Sequence, residues 1–440
     1  METDLKRIRE RASKNRKEVF TSLWHHVCDV GHLRACYETL DGSKAVGTDG
    51  VDKKAYGENL GTNLKELSAK LQRLGYRPGA RRRHYIPKPG SGKGRPLAIS
   101  NFEDKIVEKA IKVVLEQIYE VDFEENSYGY RPGRTGHQCL DDLGRTIQQK
   151  RVSYVVEADI RSFFDKVNHG WMMKFLRHRI GDERLLRMIG RMLKAGILKE
   201  GLVQASTEGT PQGSILSPLL SNFYLHYVLD LWFNKRVAPK WCKGEAHLFR
   251  YADDYVACFQ YRDDARAFMD WQKERLEEFG LSLAEEKTKC MGFGRFAREN
   301  AVRRGAKPEG FTFLGFDHYC GKSREGHFKV KRRTSRKKLG ASLEKFSEWC
   351  EKSRRWMTKG EMLRRAKMRL VGHLNYYAIT DNSRRCDEYV YHATRTLFKW
   401  LNRKSQRTSY TWEGYNQVLK WIGWPTARVR KDLNPFRRAK

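Results

Sequence analysis

Two adjacent carboxylates, Asp253 and Asp254, interrupt a stretch otherwise suited to strands, with Leu248 and Phe249 before them and Tyr255 to Phe259 after. Aromatic, β-branched and small residues favour extended backbone, and an Asp pair favours a turn, so the stretch predicts a hairpin with acids at its tip. Oxygen donors presented in this way suit a hard divalent cation such as Mg²⁺, which takes one or two carboxylates together with substrate phosphates. A polar turn without chemistry would have the same composition. A third acid separates the two readings. Asp159 ends an apolar run, Tyr154 to Ala158, and is followed by Phe163, Phe164 and Asp165. If the two strands are antiparallel neighbours, Asp159 and Asp253 face each other and can hold two metal ions, the arrangement that serves in-line nucleotidyl transfer.

Other elements must place these acids against a substrate. Residues 81–99 read as a basic β-hairpin with a glycine-rich tip, carrying Lys88 on one arm and Arg95 on the other. Fixed cations of this kind suit a triphosphate, and arginine binds phosphate bidentately. Residues 102–120 predict an amphipathic helix. The stretch from Asn126 to His137 interleaves Tyr and Arg with Gly, a composition that suits backbone contact and base stacking on nucleic acid. Further helices are predicted within 1–45 (including 18–36) and over 53–76, 171–179, 183–198 and 262–279. The turn Gly209-Thr210-Pro211-Gln212-Gly213 leads into a helix that starts near Ser217-Pro218, with proline in the first helical turn. The basic run Lys331 to Lys338 is expected to start a helical region, followed by helices over 341–357, 361–378 and 384–402.

Taken together and in order, these blocks resemble a group II intron-encoded reverse transcriptase (maturase). The carriers are Tyr251-Ala252-Asp253-Asp254, Asp159 with Phe163-Phe164-Asp165, Ser127 to Arg134, the Gly209–Gly213 turn, Gly280 to Lys289, Phe311 to Phe316 and Gly372 to Tyr377. The resemblance covers roughly residues 40–425. It implies an α+β, right-hand polymerase fold: an N-terminal extension and start of the fingers over 1–80, fingers over 81–150, a palm over 151–320 and an all-α basic thumb (X) domain over 321–440. It implies catalytic Asp159, Asp253 and Asp254, with the Ile160 carbonyl as a further metal donor and two Mg²⁺ ions, replaceable by Mn²⁺. It also implies Lys88, Arg95, Arg131 and Gln212 as nucleotide contacts, and Phe163 as the ring that excludes a 2′-hydroxyl. Arg134, Lys287, Lys331, Arg332, Arg333 and Arg336 are the expected nucleic-acid contacts. For Lys287 a structural pair with a nearby Glu is an equal alternative. Asp165 and Asn168 are read as caps of the following helix. Ser214 stands where relatives often have Gly, and Ala284 where they usually have Asn. No HNH endonuclease pattern follows the thumb.

Composition fits a polyanionic partner. The 440 residues carry a formal net charge of +34. Residues 321–440 hold 32 Lys and Arg against 10 Asp and Glu. Such an excess repels itself in a compact chain unless nucleic acid neutralises it. No run of about eighteen apolar residues suggests a membrane span. The nine cysteines are dispersed without a Cys-x-x-Cys pair, which reads as reduced thiols in a cytoplasmic protein. The expected partners are intron RNA, an RNA template with a DNA primer, and dNTPs, with monomer and homodimer both open. The expected activity is target-primed copying of intron RNA together with help in its splicing. A free-standing relative used in DNA repair or phage defence, and a splicing cofactor with little polymerase activity, are the alternatives.

Overall fold

The computed structural model describes residues 2–87, 94–199, 202–204, 207–404 and 409–437. Lys88, an expected triphosphate contact, lies outside the described residues. The strands are β1 (Arg81–Pro87), β2 (Gly94–Ile99), β3 (Tyr154–Asp159), β4 (Ile197–Lys199), β5 (Leu202–Gln204), β6 (Ala246–Tyr251), β7 (Asp254–Phe259), β8 (Lys289–Gly292), β9 (Gly310–Phe313), β10 (Phe316–Lys322) and β11 (Phe328–Thr334). They form three sheets, ordered β2-β1-β4-β5, β6-β7-β3-β8 and β11-β10-β9. Every pairing is antiparallel except β1 with β4, so the fold is mixed helix and sheet of the α+β kind.

The central sheet explains why its strands read as nearly continuous apolar runs. Alternate residues of a strand point to opposite faces. Val156 and Ala158 of β3, with Tyr255, Ala257 and Phe259 of β7, enter one core packed with the helices Phe102–Asp122, Ser217–Leu225 and Arg262–Glu278. Val155, Val256 and Cys258 enter a second core, shared with helix Gly136–Gln149 and with Phe311, Phe313 and Phe316 of the third sheet. Both faces are covered, so neither needs polar residues.

The predicted helix over 18–36 is two helices, Trp24–Cys28 and Val30–Thr39. Asp29 breaks it, because its backbone is extended and its carboxylate accepts from His32 N. Asp182 then accepts from the backbone N–H groups of Leu23 and Trp24, both at 2.8 Å, and ties this region to helix Glu183–Lys194. Asn168 caps helix His169–Leu176 as expected, whereas Asp165 lies within the short helix Phe163–Lys166. Helix Ser217–Leu225 runs on into π-helical stretches, His226–Asp230 and Phe233–Trp241.

The basic run 331–338 is not one helical start. Lys331 to Thr334 finish β11, Ser335 caps, and the helix begins at Arg336. The expected division at 320/321 therefore falls inside β10. Helices Arg336–Ser353, Lys359–Tyr377 and Ser383–Asn402 pack around a separate core with Tyr415 and Leu419. Among the described residues, no helix is long and apolar enough to cross a membrane.

Candidate active site

β6 and β7 form the expected hairpin, with Ala252 and Asp253 in its turn. The register brings Asp159 opposite Asp254, not Asp253. Asp253 stands beside that pair on the turn. This corrects the expectation that Asp159 and Asp253 face each other, and the cause is that β7 starts one residue later than the acids alone suggest. Asp159, Asp254 and Glu157 share one face of the sheet.

These acids repel one another. Burial, reinforced by Asp159, Asp253 and Glu157, pushes the Asp254 carboxyl up to about 8. Asp253 is also raised, chiefly by burial and then by Asp159, while Arg95 and Lys287 oppose the shift. Burial pushes Glu157 up to about 7. Lys287 is ion-paired with Asp159, so its partner is the candidate catalytic acid, and the nearby Glu285 and Glu286 pair instead with Lys273 and Arg161. Hard oxygen donors under mutual repulsion fit a divalent cation. Among the described residues no three His, Cys, Asp or Glu side chains close around an ion by themselves. Ile160 follows Asp159 in an antiparallel bridge with Leu283, and the N–H of Ala284 donates to the Asp159 carbonyl at 2.8 Å, so backbone steadies the segment.

A buried network holds the acidic turn. The Arg250 guanidinium is fully buried and donates to both Asp230 carboxylate oxygens, at 2.7 and 2.5 Å. It also donates to Asn222 Oδ1 at 3.0 Å, to Ser127 Oγ at 2.7 Å and to the Ala252 carbonyl at 2.9 Å. Ala252 is left-handed, at φ 60°. Such backbone is strained for a residue with a Cβ and persists where surrounding bonds fix it. Gly129 packs against this turn so closely that a Cβ there would meet the Ala252 backbone nitrogen, and its carbonyl accepts from Asn222 Nδ2. The sequence offered Ser127 and Gly129 only as motif members, and Asp230 not at all.

The other expected contacts divide. Arg95, exposed on β2, is near enough to Asp253 to lower its carboxyl. Tyr130, left-handed and half exposed, also lies near Asp253 and was not singled out from the sequence. Gln212 lies in a cleft with Arg83, Ala98, Phe164 and Asp165, where its carbonyl accepts from Ala98 N at 2.7 Å. Gly209 and Gly213, at φ 84° and 113°, supply the left-handed residues of this turn, and the Ser214 hydroxyl accepts from Leu216 N.

Three expectations are corrected. Phe163 is 2% exposed and packs in the first core, whereas the neighbouring ring, Phe164, lines the cleft. The chain turns helical at Phe163, after left-handed Ser162, so the two rings do not simply alternate. Arg131 is buried, paired with Glu120 at 3.1 Å and donating to the carbonyls of Glu124 and Ser127 at 2.9 and 2.8 Å. It is committed to the fold rather than to a nucleotide. Arg332 is likewise buried, donating to the Leu140 carbonyl at 2.6 Å, and burial lowers its guanidinium to about 10. Arg134 reaches over the Tyr128 ring and pairs with Glu125. Lys331 is half-buried, while Arg333 and Arg336 are exposed.

A family model described as reverse transcriptase (RNA-dependent DNA polymerase) matches residues 86–318. The chain is 27% identical to the group II intron-encoded protein LtrA of Lactococcus lactis subsp. cremoris, over 92% of this chain and 78% of that protein. It is 33% identical to protein YkfC of Escherichia coli, over 66% of this chain and 80% of that one. A shorter match, 31% identical over 129 residues, is to nuclear intron maturase 3, mitochondrial, of Arabidopsis thaliana.

Proposed function

The chain belongs to the reverse transcriptase (RNA-dependent DNA polymerase) family, and on that premise we propose that it copies RNA into DNA at Asp159, Asp253 and Asp254, in the service of a group II intron. The observation that carries the assignment is the register that brings Asp159 and Asp254 opposite each other beside Asp253, under mutual repulsion. Asp159 and Asp253, with the Ile160 carbonyl, would hold the divalent ions, and the Asp254 carboxylate would add its charge to the same site. Two Mg²⁺ ions, or Mn²⁺ in their place, would there activate the primer 3′-hydroxyl and neutralise the developing charge on the triphosphate.

The chain's own residues position the reactants. Lys287 balances Asp159 and is placed to give way as cations arrive. Arg95, and Lys88 by resemblance, hold the triphosphate, and Gln212 contacts the nascent pair. Phe164, at the cleft, takes the role of crowding a 2′-hydroxyl. Fixed charge and alignment account for most of the acceleration in reactions of this class.

Residues up to the end of β11 form the fingers and palm in this reading, and the basic helices from Arg336 onward form the thumb that lies along the duplex. In this reading the substrate is intron RNA, copied from a primer at the DNA target and bound to assist splicing. Arg333, Arg336, Lys331 and Arg134 are the proposed backbone contacts. Primer extension on an RNA template with dNTPs and Mg²⁺, wild type beside Asp253→Asn, is the test. Synthesis by the wild type alone supports the assignment. Synthesis retained by Asp253→Asn overturns the metal site.

A further inference from the structure

β8 leaves the central sheet at the end away from the acids, because Glu157 pairs with Lys289 and Tyr154 with Gly292. From Asp159 to Tyr154 the strand spans roughly 17 Å, at about 3.3 Å per residue. The segment after β8 is pinned to that far end. Phe293 N donates to the Ser153 carbonyl at 3.0 Å, and Gly294, at φ 141°, crosses the Val152 backbone where a Cβ would clash. It then forms a short exposed helix, Ala297–Arg303. Opposite lies the tip of the β10–β11 hairpin, tied back by Cys320 Sγ donating to the Gly294 carbonyl.

Between helix and hairpin is a groove of about 750 Å³, lined by Arg295, Arg298, Arg303, Lys322 and His327, with Glu299 as its one acid. The four Arg and Lys side chains are in no ion pair among the described residues, and the nearby Arg304 only donates to the Asn300 carbonyl of its own helix. Four unpaired cations held on a rigid frame around one groove repel one another unless an anion is shared between them. Phe296 and Val302 on the same segment are about half or more exposed.

We propose that this groove is a second nucleic-acid site, which grips the sugar–phosphate backbone of a segment outside the copying cleft. This rests on the polymerase reading but adds a site to it. Its cations neutralise phosphates and release counterions, so its contribution is sequence-independent and salt-dependent. Its distance from the acids means it anchors and does not touch reacting atoms.

The test compares wild type with Arg298→Gln/Arg303→Gln, both exposed positions. Binding of a long RNA hairpin and of a DNA duplex of equal length is measured across a salt series, beside single-nucleotide addition to a short primer–template. We expect about tenfold weaker binding of the long ligand, with a salt slope smaller by about 2, and unchanged addition. Loss with RNA alone assigns the groove to RNA, loss with DNA alone to DNA, and loss with both to either backbone. Unchanged affinity and slope for both long ligands overturn the proposal. Addition falling in step with binding also overturns it, because the groove would then belong to the copying cleft. Absence of addition by the wild type would instead count against the polymerase reading, which the binding arms do not test.

Discussion

Removing the Phe164 ring, which lines the cleft with Gln212, is expected to raise ribonucleotide incorporation, read as the ratio of rNTP to dNTP addition by Phe164→Ala. Phe163→Ala should leave that ratio unchanged and instead cost about 3–5 kcal/mol of stability, because a core ring is lost. Asp254 gives a pH test. Its acid form is favoured up to about 8, and a cation needs the carboxylate, so metal affinity should climb with pH and level off above about 8. Without metal, this group's contribution to stability runs the other way. The unfolded chain ionises near 3.8 and the folded one only at about 8, so stability is lost as pH rises between them. Metal titration and thermal melts over that range measure the two trends. The acids themselves were legible in the sequence because their chemistry is local. The fate of an arginine was not. Arg131 and Arg332 look like Arg95 and Arg333 in a sequence, and only packing decides which guanidinium meets carbonyls and which meets solvent.

At the scale of elements, the acidic turn depends on a frame built from distant segments. Arg250→Met leaves Asp230 buried without its partner, which costs about 3–5 kcal/mol. Gly129→Ala probes the same turn from the other side: its Cβ would collide with the Ala252 backbone, so the turn must shift, and primer extension should fall while RNA binding persists. Denaturant melts and extension assays on the two variants separate the effects. The hairpin of β6 and β7, the basic hairpin of β1 and β2, β3 and most helices were readable from the sequence, whereas β4 and the end of β11 were read as helical and β5 and β8 were not marked. Asp230 was not readable, because it sits in a π-helical stretch twenty positions before its partner and no local pattern links the two. The break at Asp29 was hidden for a different reason: the apolar spacing continues across it, and only the extended backbone at the cap shows that the helix restarts.

At the scale of the whole molecule, the charge of +34 predicts that RNA stabilises the fold. The rise in melting temperature on adding RNA should shrink steadily as salt is raised, and a salt series of melts checks it. The basic excess was visible in composition alone, while its division between buried struts and open grooves was not. The joint between the basic helices and the central sheet was also hidden. His137 on the sheet side contacts the Tyr376 carbonyl at 2.8 Å, Thr380 N donates to the Lys431 carbonyl at 3.2 Å, and Leu433 packs in the same core as Val256 and Cys258.

That last contact has a bearing on how the molecule comes into being. A ribosome delivers the chain from its amino end, so the second face of the central sheet is walled first by helix Gly136–Gln149 and is covered further only as Phe311 to Phe316 and then Leu433 emerge. The strands flanking Asp254 are made before the last side chains that cover them. A nascent chain stalled between the two holds its acids on a sheet whose second face is still partly open.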